Sequence, residues 1–300
     1  MSDKIFVSLP GENEFQILQA QEARQTATRL GLEVEIAHAE NHAIEQIQQI
    51  FRALHAESPP KAVIVEPVSA EGLERLARKA AGAGIGWAEL NSTSGYIGTL
   101  RSDFAEAAVF TVGSNQLEIG HLQADQMRAL LPGGGTAIYL VGLRGSSAAE
   151  RRLEGTRSRL EGSNIQLILL DAQWSAESAE KALHGWLRLK SSEAARIDLI
   201  AAQNDPMAYG ARHAMAAEPA LVKQFGAVRY LGIDGVPSVG QQYVKDGYLL
   251  ATIIMPSNTG PAVEAVGRWL RSDVRPQAAI PVQVQSFPGV SELRPLPSRS

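Results

Sequence analysis

Short β-rich segments alternate with amphipathic helical segments along almost the whole of this chain of 300 residues. In the first half, the predicted strands are residues 4–9, 33–37, 62–65 and 85–90, and the predicted helices are residues 15–30, 44–54 and 70–83. Gly31 follows the first helix and suits a left-handed cap. Such alternation predicts a parallel sheet with helices on its faces.

The same alternation restarts after a looser segment, residues 91–110, which we interpret as a loop. The predicted strands of the second half are residues 111–113, 136–141, 165–170, 199–202 and 230–233, and the predicted helices are residues 116–131, 148–160, 176–189 and 206–216. A chain of this length is long enough to form two lobes of about 150 residues each. The sequence therefore predicts an α/β fold with two doubly wound parallel-sheet lobes.

Composition excludes several classes of protein. Hydrophobic residues make up 45% of the chain and charged residues 20%, with a net charge of -4, as in ordinary globular proteins. There is no basic stripe for nucleic acid, and no apolar run approaches the roughly 18 residues that a membrane span needs. The chain has no cysteine, which excludes disulfides, thiolate zinc sites and cysteine nucleophiles.

Polar residues follow the predicted strands, at the sheet edge where open α/β folds bind ligands. They are Glu12, Asn13, Phe15, Gln16, Glu66, Asn91 and Ser92 in the first half, and Asn204, Asp205 and Asp234 in the second. Carboxylates and amides suit a polyhydroxylated small molecule, because each hydroxyl both donates and accepts. Phe15 and Trp174 offer aromatic faces to a sugar ring, and Arg152 offers a planar fork for two oxygens.

Each of these residues also has a structural interpretation. Asp205 precedes Pro206, and we interpret it as a helix cap. Asn13 fits a turn as well as a ligand contact, and Trp174 fits a cover over a helix start. Arg152 fits an exposed pair with Glu154 as well as a ligand fork.

The chemistry of a catalytic or metal site is not evident in the sequence. His38 and His42 have the spacing of a metal pair but no evident third ligand, so we predict no metal. The glycine-rich segments 82–87 and 132–136 lack the lysine of a phosphate loop, and no nucleophile elbow occurs. We predict no cofactor and no catalytic residues.

Several motifs carry a family resemblance. In chain order they are SLPGENEFQ, VEPVS, AELNS, SAAERRLEG, AAQNDPMAYGA, LGIDG and ATIIM. Together they resemble the type I periplasmic sugar-binding proteins, of the ribose-binding kind, whose fold also forms the effector domain of lac-repressor-type regulators. The resemblance implies lobes formed by residues 1–114 with 256–281 and by residues 115–255 with 282–300. It also implies a helix within residues 256–279 and a further crossing at residues 282–287.

The resemblance further implies a ligand site. The family's ligand residues correspond to Asn13, Phe15, Arg152, Trp174, Asn204 and Asp234. The sequence departs from the family at Gln16, Glu66, Asn91, Ser92 and Met255, which stand in place of a Phe, an Asn, an Asp-Arg pair and a hinge Gln. Losing an arginine and gaining a glutamate makes the site more acidic, which favours a neutral or amino-bearing polyol. Residues 91–115 form a longer loop than the family pattern, and we interpret residues 92–112 as a surface insertion, with a segment that covers the ligand as the alternative.

The expected function is reversible binding of a monosaccharide or related polyol in an interlobe cleft that closes around it, for uptake through an ABC-type membrane permease. The alternatives are a stand-alone sugar-sensing effector domain for a receptor or regulator, and a doubly wound enzyme acting on a sugar or nucleotide. We expect no nucleic-acid partner and no membrane insertion. The location is periplasmic if a leader has been removed and cytoplasmic if the chain as written is complete.

Overall fold

The computed structural model describes residues 3–69, 71–92, 94–189, 196–217 and 219–297. The chain divides into two compact units, each built from two stretches of sequence. The first unit contains Met1–Asn115 and Ser257–Val282. The second contains Gln116–Pro256 and Gln283–Ser300.

A six-stranded parallel sheet forms the centre of the first unit. Its strand order is β11-β5-β4-β3-β1-β2, with β1 Lys4–Leu9, β2 Glu33–His38, β3 Ala62–Val65, β4 Gly86–Leu90, β5 Val109–Gly113 and β11 Ala279–Pro281. The helices are α1 Glu14–Leu30, α2 Ala43–Leu54, α3 Leu73–Gly82, α4 Ile97–Asp103 and α11 Thr259–Ser272. β3 is a continuous apolar run, and β1 and β4 are mainly apolar, because both faces of these strands lie in hydrophobic cores.

The ends of α1 follow the predicted capping chemistry. Asn13 precedes the helix, and its side-chain oxygen accepts a hydrogen bond from the Gln16 amide at 3.0 Å. Gly31 closes the helix in the left-handed conformation, with φ of 70°. The predicted start of α3 at Ala70 lies outside the described residues, and the described helix begins at Leu73.

The interpretation of residues 92–112 as a surface insertion is wrong. Apart from Thr93, which lies outside the described residues, this segment contains α4 and most of β5. β5 lies inside the sheet between β4 and β11, and Val109 and Phe110 are fully buried. The segment is therefore part of the core of the first unit.

The second unit contains a four-stranded parallel sheet and a separate antiparallel strand pair. The parallel sheet has the order β7-β6-β8-β9, and the pair joins β10 to β12. The strands are β6 Gly135–Val141, β7 Ile165–Asp171, β8 Leu199–Ala202, β9 Arg229–Leu231, β10 Thr252–Ile254 and β12 Gln285–Phe287. The helices are α5 Gln116–Leu130, α6 Ser147–Leu160, α7 Ala176–Leu187, α8 Asp205–Ala216, α9 Pro219–Phe225 and α10 Gly240–Lys245. The predicted fold class of parallel-sheet α/β lobes is confirmed.

Helices α5 and α6 approach each other closely at Gly120. A Cβ atom at Gly120 would overlap the carbonyl oxygen of Arg152 and lie 2.7 Å from the amide nitrogen of Thr156. Only glycine leaves room for this backbone contact. The close approach fixes the position of α6, which carries Arg152.

Within the described part of the chain, no helix is both long and apolar enough to cross a membrane.

Candidate functional site

A carboxylate network lies beyond the carboxyl ends of β1, β3 and β4 in the first unit. Glu66 follows β3 directly, and its Oε2 atom accepts hydrogen bonds from Gln16 Nε2 at 3.2 Å and from Gln19 Nε2 at 2.5 Å. Its Oε1 atom accepts a third from Asn91 Nδ2 at 3.1 Å. The structure thus brings together Gln16, Glu66 and Asn91, three of the predicted site residues.

Gln19 belongs to this network although sequence reasoning missed it. Its side chain is fully buried, and its Oε1 atom accepts hydrogen bonds from the backbone amides of Asn258 at 2.8 Å and Thr259 at 3.2 Å. Gln19 lies four residues after Phe15 and four before Ala23, both of which are buried on α1. A polar residue at the same helical spacing as buried apolar residues is the signal that could have revealed Gln19.

The other predicted residues of the first unit have local structural partners. Asn13 caps α1, so its interpretation as a structural residue is supported, and its role toward a ligand stays a prediction. Phe15 is buried in the first turn of the same helix. The Ser92 hydroxyl lies 2.8 Å from the Ser94 hydroxyl, in the segment that leads into α4.

Glu89 is a fully buried acid that sequence reasoning also missed. It lies on β4, and its Oε1 atom accepts hydrogen bonds from Trp87 Nε1 at 3.3 Å and from the Tyr96 hydroxyl. Burial, reinforced by the charge of Glu89, raises the pKa of Tyr96, so its phenol stays protonated and donates this bond. Tyr96 stands at the start of α4, so the bond ties the segment after Asn91 to the sheet. A charged residue inside the apolar strand GWAEL was the available signal.

Arg152 is the one positively charged side chain among the predicted site residues. Arg152 is only 5% exposed, so the alternative interpretation of an exposed ion pair with Glu154 is wrong. Arg151 forms this ion pair instead, with its Nη1 atom 2.7 Å from Glu154 Oε2. The guanidinium of Arg152 donates to Gln116 Oε1 at 2.8 Å and to the Gln203 carbonyl at 2.6 Å. These bonds hold the fork in one orientation.

Trp174 and Met255 both contact the guanidinium of Arg152. The Trp174 ring centroid lies 5.7 Å from Arg152 Cζ, within cation–π range. Met255 is buried, and its Sδ atom accepts from Arg152 Nη2 at 3.1 Å. Trp174 has a positive φ of 63°, and its carbonyl accepts from Asn204 Nδ2 at 2.9 Å.

The expectation that Asp205 caps a helix is wrong, because Asn204 does so. The Asn204 side-chain oxygen accepts from the Met207 amide at 2.9 Å. Asp205 is instead a buried acceptor. Its carboxylate accepts hydrogen bonds from the Gly235 amide at 2.7 Å and from the Thr252 hydroxyl at 2.6 Å. It therefore connects the start of α8 to the loop that carries Asp234.

Asp234 lies just beyond β9 with its side chain 6% exposed. Its φ of 106° is unusual for a residue other than glycine. Its backbone amide donates to the Ile253 carbonyl, and its own carbonyl accepts from the Met255 amide, both at 3.0 Å. Asp234, Met255 and Arg152 are therefore assembled at one end of the second unit.

Metal coordination is not apparent in the described ranges, which contain no group of three or more His, Cys, Asp or Glu residues placed to hold an ion. His38, one of the two histidines with metal-like spacing, has its Nδ1 atom 2.7 Å from the Gly11 carbonyl oxygen. Its Nε2 atom lies 3.9 Å from the Glu12 carboxylate.

Parallel-sheet units with polar residues at their strand ends define a class of ligand-binding α/β proteins. Residues 5–259 match a family model described as the periplasmic binding protein domain, so the chain belongs to that family. This confirms the resemblance to type I periplasmic sugar-binding proteins that the motifs indicate.

Curated relatives agree with this assignment, and a solved structure shares the fold. A protein of Rhizobium meliloti named for rhizopine binding is 29% identical over 191 residues, which cover 62% of this chain and 58% of that protein, less than two thirds of its length. The ribose import binding protein of Escherichia coli K12 is 24% identical over 91% of this chain and 86% of its own length. A solute-binding protein of Bacillus halodurans with bound myo-inositol has the same fold, with a TM-score of 0.79 and 24% identity over 97% of this chain and 96% of its own.

Proposed function

We propose that this protein binds a sugar or polyol reversibly and releases it unchanged to a membrane permease of the ABC type. The observation that carries the proposal is that each unit gathers hydrogen-bonding side chains beyond the carboxyl ends of its parallel strands. The first unit supplies the Glu66 network, and the second supplies Arg152, Trp174 and Asp234.

The chemistry of these groups suits hydroxylated ligands. A sugar hydroxyl needs a donor and an acceptor, which amides, carboxylates and a guanidinium provide together. The Trp174 ring offers an apolar face for the C–H side of a sugar ring. The relatives are named for ribose and rhizopine binding, and a protein of the same fold holds myo-inositol, which supports a ligand of this class.

The way in which the candidate residues are held supports binding rather than catalysis. Hydrogen bonds with amide and carbonyl groups hold Arg152 and Glu66 in defined orientations, as a preformed binding site requires. The family description supports a periplasmic location. The predicted lobes, residues 1–114 with 256–281 and 115–255 with 282–300, are the two bodies that we expect to close around the ligand.

A ligand screen followed by one substitution tests the proposal. Pentoses, hexoses, cyclitols and linear polyols are first screened by thermal shift, because a ligand that binds only the folded state raises the melting temperature. The best ligand is then titrated calorimetrically, and a dissociation constant near micromolar would correspond to about 8 kcal/mol of binding free energy. Asp234→Ala is expected to abolish this binding while the far-UV circular dichroism stays unchanged.

The matched control is Asp246→Ala. Asp246 lies in the same unit, just after α10, but its carboxylate is exposed and accepts a bond from Gln242 Nε2 at 2.8 Å. This variant should bind the ligand with unchanged affinity. Wild-type affinity in Asp234→Ala would show that the site is misassigned, and the absence of any shift across the whole panel would refute the proposed ligand class.

A further inference from the structure

One face of the Trp174 indole lies against the backbone at Gly142, directly after β6 in the second unit. A Cβ atom built on Gly142 would overlap Cζ2 and Cη2 of this ring and lie 2.5 Å from Cε2. A position that is close to three consecutive ring atoms at once lies over the face of the ring and not at its edge. Glycine leaves room for the indole at this depth, whereas any other residue would place its Cβ atom in the same space.

The backbone at Gly142 is itself fixed by Gln203, a fully buried residue directly after β8. Gln203 Oε1 accepts a hydrogen bond from the Gly142 amide at 2.9 Å. Gln203 Nε2 donates to the Ala149 carbonyl at 2.9 Å and to the Tyr139 hydroxyl at 3.3 Å. Both polar atoms of this side chain are therefore hydrogen-bonded within the second unit, and they hold in place the backbone against which the indole lies.

The same glutamine connects this backbone with the guanidinium of Arg152. The Gln203 carbonyl accepts from Arg152 Nη1 at 2.6 Å, and Arg152 Cζ lies 5.7 Å from the Trp174 ring centroid. The backbone of Trp174 is held separately, because its carbonyl accepts from Asn204 Nδ2 at 2.9 Å. An aromatic ring and a planar cation are thus fixed relative to each other, which reduces the entropy lost when a ligand binds to both.

We propose that Gly142 is a positioning residue of the ligand site. It sets the depth at which the Trp174 ring lies in the second unit, and so the position of the apolar face that a sugar or polyol would contact. This inference rests on the proposed function and deepens it, because it assigns a residue that acts on the ligand through Trp174.

The substitution Gly142→Ala tests this role. The indole would have to move by about 1 Å or more to bring the new methyl group to ordinary van der Waals distance. The backbone accepts alanine, because φ of Gly142 lies outside the left-handed region, and the atoms that the methyl group meets belong to the far end of a half-buried side chain. We therefore expect the variant to fold.

Binding is measured by calorimetry with the tightest-binding member of a panel of ribose, glucose, myo-inositol and xylitol. Gly142→Ala should bind this compound at least about tenfold more weakly than the wild-type protein, because contacts between the ring and the compound depend steeply on distance. The control is Gly185→Ala on α7, where the Cβ position is in open space. This variant should bind with unchanged affinity.

A second substitution shows whether the loss acts through the indole. Phenylalanine is shorter than tryptophan and lacks the outer part of the indole that meets the Cβ position. In the Trp174→Phe background, Gly142→Ala should therefore change the affinity by less than about twofold. A loss that came from a general disturbance of the second unit would be equal in both backgrounds.

The outcomes separate this inference from the proposed function. Wild-type affinity in Gly142→Ala, or an equal loss in both backgrounds, would overturn the role of Gly142 and leave the proposed function standing. Failure of the wild-type protein to bind any member of the panel would overturn both. If Gly142→Ala does not fold alone, the double variant decides the question: it should fold and bind as Trp174→Phe does, and failure to do either would overturn the inference.

Discussion

Removal of the Asp205 carboxylate should destabilise the second unit strongly. This carboxylate is buried and accepts the Gly235 amide at 2.7 Å and the Thr252 hydroxyl at 2.6 Å. A hydrogen bond to a charged group contributes about 1.5 to 3 kcal/mol to the free energy of unfolding. Asp205→Ala removes both of these bonds and leaves the Gly235 amide and the Thr252 hydroxyl without this acceptor. We therefore expect the free energy of unfolding to fall by about 3 kcal/mol or more.

The assay is urea unfolding at neutral pH, followed by far-UV circular dichroism. Asp246→Ala, which removes an exposed carboxylate from the same unit, should change the free energy of unfolding by less than about 0.5 kcal/mol. Thr252→Val removes only the hydroxyl donor. Combined with Asp205→Ala in a double-mutant cycle, it should show a coupling energy of about 0.5 to 3 kcal/mol.

The result that refutes this reasoning is a small one. A loss below about 1 kcal/mol for Asp205→Ala would mean that water replaces both bonds, and hence that the carboxylate is not buried as described. A cycle without coupling would show that the bond between Asp205 and Thr252 does not form.

Three further predictions concern packing, ionisation and binding. Gly120→Ala should lower the free energy of unfolding by about 1 to 3 kcal/mol because its Cβ overlaps α6, whereas Gly133→Ala, with open space around it, should have almost no effect in the same urea assay. Burial raises the pKa of Tyr230 from 10.0 to about 12, so its contribution to stability is complete below pH 10 and is lost as the pH rises through 12. Tyr230→Phe should therefore make the alkaline decline in melting temperature less steep, and an unchanged decline would contradict the burial. Arg152→Lys keeps the charge but loses the planar guanidinium, and should weaken ligand binding at least about tenfold in calorimetry. The control Arg151→Lys, on the exposed face of α6, should leave the affinity unchanged. Equal affinities of Arg152→Lys and the wild-type protein would show that Arg152 does not bind the ligand.

Most of the strands and helices could be predicted from the sequence because their patterns are long or strongly apolar. β1 is mainly apolar, β3 is a continuous apolar run, and α1 has a cap at each end. Residues 92–112 were misread because α4 is only seven residues long and offers few apolar positions. Its burial depends on neighbouring helices and strands, which no local pattern reveals.

The sequence indicated several of the residues that lie at these strand ends, but not Gln19 or Glu89, and not the hydrogen bonds that join them. The topology of a parallel sheet places Glu66 and Asn91 at one edge, and the structure joins them directly. The exchange of roles between Asn204 and Asp205 was not predictable, because either side chain can cap a helix. Only the approach of Thr252 from a distant part of the chain assigns Asp205 its buried role.

We expect the protein to bind its ligand and to release it without chemical change. Equilibrium dialysis of the protein against the tightest-binding ligand of the panel, with NMR spectra of both compartments over time, tests it most directly. Reversible binding should give an excess of ligand on the protein side and only the spectrum of the original compound in either compartment. Equal ligand concentrations, or new signals that grow with time, would contradict it.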